Sequence, residues 1–313
     1  MRTFVTGGAG FIGSHTVARL LEAGHEVQVW DDLSTGKREN LDFAIDRIAF
    51  RQGDIRDFES LDSAIGPWQP DAILHLAAIP SVPRSVEEPR LTHAVNLTGT
   101  LNVLEVARRQ GIQRVVFACS AAIFGNEPEV PKREASPARP SSPYGLEKWQ
   151  SEQYAGLYSE LFGLTTLSLR YFNVFGPRQD PKSPYSGVIS IFLDRLLSER
   201  QVVIDGTGEQ TRDFIYVADV AEANLLALSS PLSGHQRFNI GRGEETSVAR
   251  LFDLICQAVG RSPEPTFGPP RSGDVYRSCA DATHAQAILG FAPRYTVKEG
   301  LERLVAWYES AGA

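Results

Sequence analysis

The sequence predicts an α/β fold, a doubly wound parallel sheet with a smaller C-terminal α/β part. In the first half of the 313-residue chain, short apolar runs alternate with segments of helical periodicity. A glycine-rich turn joins the first run to the first helical segment. This alternation is typical of right-handed crossovers, which place helices on both faces of a parallel sheet.

The elements follow from the period of the apolar residues. Runs rich in β-branched and aromatic residues predict six strands, at 3–6, 26–30, 48–50, 72–76, 115–119 and 165–169. Apolar residues three and four apart predict helices between them, including 11–23, 97–109 and 148–162.

The pattern changes after residue 173, where stretches rich in Pro, Gly and Ser occupy 175–187 and 261–274. We therefore expect two domains. Residues 1–172 form the sheet domain, which about 214–241 rejoins, and residues 173–213 and 242–313 form the smaller domain.

Composition excludes several classes of function. A net charge of -7 argues against nucleic-acid binding, which needs clustered Lys and Arg. The three cysteines are far apart and have no zinc-ligand spacing, so we expect no metal site and a reducing compartment. The N-terminus runs directly into a strand, and no apolar run approaches the ~20 residues that span a bilayer. We expect a cytoplasmic protein without a membrane partner.

The turn TGGAGFIG, residues 6–13, predicts a dinucleotide site of the Rossmann type. Gly7 and Gly10 let a pyrophosphate approach the N-terminal amides of the first helix, at Phe11 and Ile12. Gly13 permits close contact between helix and strand.

Asp31 ends the second predicted strand, 18 residues after Gly13. A carboxylate about 20 residues beyond the turn typically binds the adenosine ribose and repels a 2′-phosphate, so it favours NAD over NADP. Two alternatives remain: Asp31 is a solvated strand-end carboxylate, or Lys37 and Arg38 serve a 2′-phosphate.

Tyr144 and Lys148 are four residues apart and share one face of a helix. An ammonium group, together with an oxidised nicotinamide, would stabilise the phenolate, lower the pKa of the phenol and make it a general base. Ser120 ends the fifth predicted strand, at the sheet edge where ligands bind in such folds.

Five motifs, in this order, resemble the extended short-chain dehydrogenase/reductase family and most closely its UDP-glucose 4-epimerase branch. They are TGGAGFIGSH (6–15), HLAA (75–78), ACSAAIFG (118–125), YGLEK (144–148) and RYFNVFGP (170–177). The resemblance implies epimerisation at C4 of a UDP-sugar with NAD as cofactor, through a 4-keto sugar. Tyr144 would be base and then acid, Lys148 its electrostatic partner, and Ser120 the partner of the reacting oxygen.

The residues after Ser120 bear on the reaction. Dehydratase and decarboxylase branches typically place a Thr or Ser and an acidic residue there, whereas this chain has Ala121 and Ala122. Return of the hydride to the opposite face of the sugar is then the simplest completion. Alternatives are another sugar-nucleotide epimerase, such as a UDP-glucuronate 4-epimerase, and a non-catalytic NAD-binding sensor.

The resemblance also implies binding residues. For the cofactor they are Gly7, Gly10, Phe11, Ile12, Gly13, Asp31, Asp32, Ser34, Thr35, Gly36, Asp54, Ile55, Leu76, Ala77, Ala78, Asn96, Tyr144, Lys148 and Phe172. Asn96 could equally be a helix N-cap. For the UDP-sugar they are Ser120, Tyr144, Asn173, Arg212, Arg271, Asp274 and Ser278, the two arginines on the diphosphate.

Two further expectations rest on the resemblance. Ser278 would border the sugar, and its small side chain would leave space for a 2-acetamido group, so UDP-N-acetylglucosamine would be accepted. The family commonly forms homodimers, here through helices at about 94–109 and 148–162.

Overall fold

The computed structural model describes residues 1–179, 187–270 and 275–311. Seven strands in these ranges form a central sheet: β1 (Arg2–Thr6), β2 (Glu26–Asp31), β3 (Ile48–Gln52), β4 (Ala72–His75), β5 (Arg114–Ser120), β6 (Thr165–Tyr171) and β11 (His235–Ile240). All pair in parallel, in the order β11-β6-β5-β4-β1-β2-β3. The predicted doubly wound parallel sheet is therefore confirmed, and β11 lies within the segment 214–241.

Helices cover both faces of this sheet. They are α1 (Phe11–Glu22), α2 (Phe58–Ile65), α3 (Val82–Glu87), α4 (Pro89–His93), α5 (Gly99–Arg109), α6 (Pro143–Phe162) and α8 (Val217–Ser229), with a π-helical turn at Ala94–Thr98 between α4 and α5. One apolar core joins the sheet to α1 and α8, and another joins it to α2 and α5. Because both faces are covered, the inner strands β1, β4 and β6 are almost continuously buried.

Strand order reverses between β1 and β4. The chain runs outward from β1 to β3 and then crosses back to β4 on the other side of β1. The crevice at such a reversal, beyond the carboxyl ends of the strands, is where ligands bind in open α/β sheets. Ser120 ends β5, which is the neighbour of β4.

Helix α6 begins five residues earlier than predicted. The Ser142 hydroxyl accepts a hydrogen bond from the Gly145 amide at 3.1 Å, and Pro143 occupies the first helical position. Both features favour a helix start. The helix ends at Gly163, whose φ of 71° suits glycine. Tyr144 and Lys148 therefore both lie inside one regular helix.

The C-terminal part surrounds a separate apolar core. It contains α7 (Val188–Leu197), α9 (Val248–Val259), α10 (Thr283–Leu289), α11 (Val297–Ala311) and the short strands β7 (Asn173–Phe175), β8 (Val203–Asp205), β9 (Thr211–Arg212), β10 (Phe214–Tyr216), β12 (Thr246–Ser247) and β13 (Thr266–Gly268). Phe192, Leu251 and Leu301 are buried in this core. The division at residue 173 stays a prediction. Among the described helices, none is both long and apolar enough to span a membrane.

Candidate active site

The glycine turn packs too tightly for side chains. Gly7 has a φ of 72°, and a Cβ there would lie 2.6 Å from the Ala77 amide nitrogen. A Cβ at Gly13 would overlap the Gly7 carbonyl oxygen. Gly10 is the N-cap of α1 and, having no side chain, leaves the first amides of the helix, at Phe11 and Ile12, open to an anion. This cradle fits the pyrophosphate of a dinucleotide.

Asp31 ties the end of β2 to this turn. Its carboxylate accepts hydrogen bonds from the amides of Ala9 and Leu33, each at 2.9 Å. Burial raises the pKa of Asp31, and the two hydrogen bonds oppose that shift. Each oxygen keeps a second lone pair, so the same carboxylate can also accept from ribose hydroxyls. A Cβ at Gly36 would lie 2.9 Å from Oδ1 of Asp31, so the loop closes tightly over it.

Two loops near Asp31 carry further residues of the predicted cofactor site. Asp32 accepts from the Ser34 amide at 2.9 Å, and Thr35 follows in the same loop. Asp54 is paired with Arg56, which lowers its pKa. Ile55 is buried.

The loop after β4 is held from two sides. The Leu76 amide donates to the Thr6 carbonyl at 3.1 Å, and the Ala77 amide donates to the Thr6 hydroxyl at 3.3 Å. Ala78 follows in the same loop. The loop is therefore fixed directly against β1, beside the glycine turn.

Asn96 supports this loop from beneath. Its side chain is fully buried, accepts from the Ile79 amide at 2.7 Å and donates to the Ile79 carbonyl at 3.2 Å. It also donates to Oε2 of Glu147 at 2.7 Å. The N-cap alternative is wrong, because Asn96 lies within the π-helical turn and not at a helix start. Contact with a cofactor stays a prediction.

Ser120, Tyr144 and Lys148 come together at the carboxyl end of β5. The Ser120 side chain lies beside the Tyr144 phenol and lowers the pKa of that phenol. The Lys148 ammonium donates to the Ala118 carbonyl at 2.9 Å and lies 4.8 Å above the centre of the Phe117 ring. Tyr144 is 9% exposed and Lys148 is 3% exposed. A phenol, a hydroxyl and an ammonium group therefore share one largely buried site.

Burial disfavours the charged form of both titrating groups. It raises the pKa of Tyr144 to about 12, and the neighbouring Ser120 side chain only partly opposes this shift. It lowers the pKa of Lys148 to about 8. The lowered phenol pKa predicted from the sequence does not arise from the protein groups, since desolvation outweighs them.

The residues after Ser120 form a short 3₁₀ helix, Ala121–Ile123, that packs closely against α6. A Cβ at Gly145 would lie 2.6 Å from the Ala122 carbonyl oxygen, so glycine is required beside Tyr144. Phe172, at the end of β6, is buried with its ring centre 6.4 Å from that of Phe124.

Three of the predicted substrate residues converge around β9. Arg212 lies on β9, the Ser278 amide donates to the Thr211 carbonyl at 3.2 Å, and the Asn173 amide donates to the Asp213 carbonyl at 3.0 Å. Asn173 is exposed, and Arg212 and Ser278 are half-buried. Arg271 and Asp274 lie outside the described residues.

Asp213 and Glu147 are buried carboxylates to which the sequence does not point. Asp213 accepts hydrogen bonds from the amides of Arg242, Gly243 and Ala280, at 2.8, 2.9 and 3.1 Å, and so joins β10 to the segment that carries Ser278. Glu147 lies between Tyr144 and Lys148 in sequence and is 3% exposed. Acidic residues are usually exposed, so neither carried a signal of burial.

Comparison with known proteins agrees with this geometry. Residues 3–241 match the model of the NAD dependent epimerase/dehydratase family. A UDP-glucose 4-epimerase of Mycolicibacterium smegmatis is 42% identical over 313 residues, covering 99% of each chain.

Two solved structures resemble the whole chain. A UDP-glucose 4-epimerase of Thermotoga maritima with UDP-glucose has a TM-score of 0.95 and 40% identity, covering 100% of both chains. A UDP-N-acetylglucosamine 4-epimerase of Methanobrevibacter ruminantium, in complex with UDP-N-acetylmuramic acid, has a TM-score of 0.94 and 36% identity, covering 99% of this chain and 98% of that one. The chain therefore belongs to the NAD dependent epimerase/dehydratase family, in the UDP-glucose 4-epimerase branch of the extended short-chain dehydrogenases/reductases.

Proposed function

We propose that this protein is an NAD-dependent isomerase that inverts C4 of a UDP-sugar through a 4-keto intermediate. The observation that carries the proposal is the convergence of Ser120, Tyr144 and Lys148 at the end of β5, at the same sheet edge as the glycine turn. The names of the similar proteins support the substrate class.

The protein's part is proton transfer and positioning. When bound, NAD supplies a hydride acceptor for C4, a hydride donor for the return step, and the positive charge of its oxidised ring. Tyr144 takes the proton of the 4-hydroxyl as C4 is oxidised and returns it as C4 is reduced. Ser120 hydrogen-bonds the reacting oxygen, and the Lys148 ammonium offsets the charge of the phenolate.

Inversion requires that the 4-keto sugar turn over while the nucleotide stays bound. Arg212 and Asn173, with Arg271 and Asp274, are proposed to hold the diphosphate and the nucleotide ribose. Asp213 keeps β9 and the Ser278 segment in register, because it is bonded to three backbone amides. The alanines after Ser120 supply no carboxylate that could divert the keto sugar to elimination.

The substrates proposed are UDP-glucose and UDP-galactose, with UDP-N-acetylglucosamine and UDP-N-acetylgalactosamine as further ones. The half-buried Ser278 is proposed to border the sugar, where a serine leaves room for a 2-acetamido group. A similar structure belongs to a UDP-N-acetylglucosamine 4-epimerase, which supports this extension.

The proposed assembly is a homodimer, and the proposed location is the cytoplasm. Helix α6 carries exposed apolar side chains on one face, at Leu146, Tyr154, Leu157 and Leu161. Their spacing of eight, three and four residues forms a stripe that a second copy of α6 would cover. The three cysteines are free thiols, which suits a reducing compartment.

A panel of UDP-sugars tests the proposal. The purified protein is incubated with UDP-glucose, UDP-galactose, their N-acetylated forms and UDP-glucuronate, and NMR reads the configuration at C4. We expect conversion of the neutral sugars. Conversion of UDP-glucuronate alone would favour the rival epimerase, and no conversion of any sugar with NAD bound would favour a sensor.

A further inference from the structure

Glu147 is a buried carboxylate between the proposed base and its lysine. Oε1 accepts from the Thr92 hydroxyl at 2.9 Å, and Oε2 accepts from the Asn96 amide at 2.7 Å. Both partners are neutral. The carboxylate is therefore held inside the protein by hydrogen-bond donors, which leaves its charge uncompensated by these contacts.

We propose that Glu147 is a positioning residue whose negative charge keeps Lys148 an ammonium group and sets the proton affinity of Tyr144. Its two hydrogen bonds also fix the start of α6 against α4 and the π-helical turn. This inference rests on the proposed function, because it concerns the groups that transfer the proton.

The negative charge of Glu147 shifts the pKa values of Lys148 and Tyr144 in the same direction. The Glu147 carboxylate raises the pKa of Lys148, as a Cys119 thiolate would more strongly, and both oppose the larger lowering by desolvation. It also raises the pKa of Tyr144, adding to desolvation. Because the site is buried, these charges are weakly screened by solvent.

The same network reaches the glycine turn. The Asn96 side chain is hydrogen-bonded to Ile79. The Asn96 backbone carbonyl accepts from the hydroxyls of Thr100 at 2.6 Å and Ser151 at 3.1 Å. His75 bridges Thr100 and Thr6, at 3.0 and 2.7 Å. A displacement of Glu147 would therefore shift both α6 and the loop after β4, which lies beside the glycine turn.

The other titratable groups near Lys148 and Tyr144 are neutral or paired, which leaves Glu147 as the candidate source of negative charge. His75 on β4 is neutral, because burial lowers its pKa to about 3. Burial raises the pKa of the Cys119 thiol on β5, so it is neutral too. Glu152 on α6 is paired with Arg170 on β6 at 2.6 Å. Arg84 on α3 pairs with Glu88, and the charged or titratable residues of α4, Arg90 and His93, are exposed.

Glu147→Gln removes the charge and can keep the contacts. The new amide oxygen can accept from Asn96, and the new NH₂ can donate to the Thr92 hydroxyl. That hydroxyl can then turn fully to the Pro89 carbonyl, which is already 3.3 Å away. Glu160→Gln, at an exposed position of the same helix, is the matched control.

The direct measurement is the titration of Lys148 by NMR in NAD-loaded enzyme with ¹³C,¹⁵N-labelled lysine. The chain has five lysines, and Lys148→Met assigns the signal. We expect the Lys148 midpoint to fall by about one pH unit in Glu147→Gln and to stay in place in Glu160→Gln. Both limbs of the pH profile of kcat should move to lower pH. The acid limb should follow the pKa of Tyr144, and the basic limb should follow the pKa of Lys148.

A purely structural Glu147 would lower kcat or the unfolding temperature without moving either limb. An unmoved Lys148 midpoint in Glu147→Gln would overturn the inference. Glu147→Met is a second neutral variant, and the Lys148 midpoint must fall in it as well. If Glu147→Gln does not fold, the Lys148 titration in Glu147→Met decides the inference. If the unaltered enzyme turns over none of the UDP-sugars, the proposed function fails, and the Lys148 titration still decides this inference.

Discussion

The Lys148 ammonium donates to the Ala118 carbonyl at 2.9 Å, two residues before Ser120 on the same strand. This contact holds the lysine side chain against β5 and places a cation in a site with almost no exposure. Desolvation lowers its pKa from 10.5 to about 8. The consequence is a pH-dependent stability that can be measured without substrate.

Between about pH 8 and pH 10, the unfolded chain keeps the Lys148 proton while the folded chain has lost it. The unfolded state then binds more protons, so stability contributed by this group rises with pH in that window. Relative to Lys148→Met, the wild type should gain on the order of 1–2 kcal/mol from pH 7.5 to 9.5. Urea unfolding at the two pH values measures the gain. An equal change in both proteins would show that Lys148 titrates normally.

Asp31 is expected to decide between NAD and NADP. Its carboxylate stands at the end of β2, while the guanidinium of Arg38 lies 5.1 Å above the Phe50 ring. A carboxylate repels a 2′-phosphate, so the Kd for NAD should be lower than that for NADP. Asp31→Asn should lower the ratio of the Kd for NADP to the Kd for NAD by about tenfold or more, because it removes the charge. Fluorescence titration measures both constants, and an unchanged ratio would remove Asp31 from this role.

Ser278 is expected to set the size of the sugar site. Ser278→Tyr adds an aromatic ring to a half-buried position beside β9. Turnover of UDP-N-acetylglucosamine should fall at least about tenfold more than turnover of UDP-glucose, because the 2-acetamido group needs the lost space. Equal loss for the two sugars would contradict this role.

The stripe on α6 is expected to be a dimer contact. Leu157→Glu together with Leu161→Glu should give a monomer, since two charges would be buried in an apolar contact. Ile288→Glu, an exposed apolar position on α10, is the control and should leave the assembly unchanged. Sedimentation velocity distinguishes the states. A wild-type monomer at micromolar concentration would overturn the proposed assembly.

The parts of the site that the sequence predicts are those with a fixed spacing. The glycine turn is recognisable because its glycines have a fixed spacing within one strand, turn and helix, where a Cβ at Gly13 would overlap the Gly7 carbonyl oxygen. Tyr144 and Lys148 are recognisable because one helical turn separates them. The sheet follows from apolar runs that are buried on both faces.

The parts that it does not predict depend on contacts between distant segments. Glu147 is buried because Thr92 and Asn96, more than 50 residues earlier, supply donors for it. Asp213 is buried because amides from the loop after β11 and from the Ser278 segment meet there. The raised pKa of Tyr144 likewise reflects desolvation, which the spacing to Lys148 does not reveal.

The central claim is that the Tyr144 phenol transfers the proton of the sugar hydroxyl. The most direct test is the rate of UDP-galactose epimerisation, followed by NMR, in Tyr144→Phe and in the wild type, with bound NAD quantified in both. We predict that turnover falls by a factor of about 10² to 10⁴ while NAD stays bound, because the ring packs as before and only the hydroxyl is lost. Turnover near the wild-type rate in the NAD-loaded variant would contradict the account.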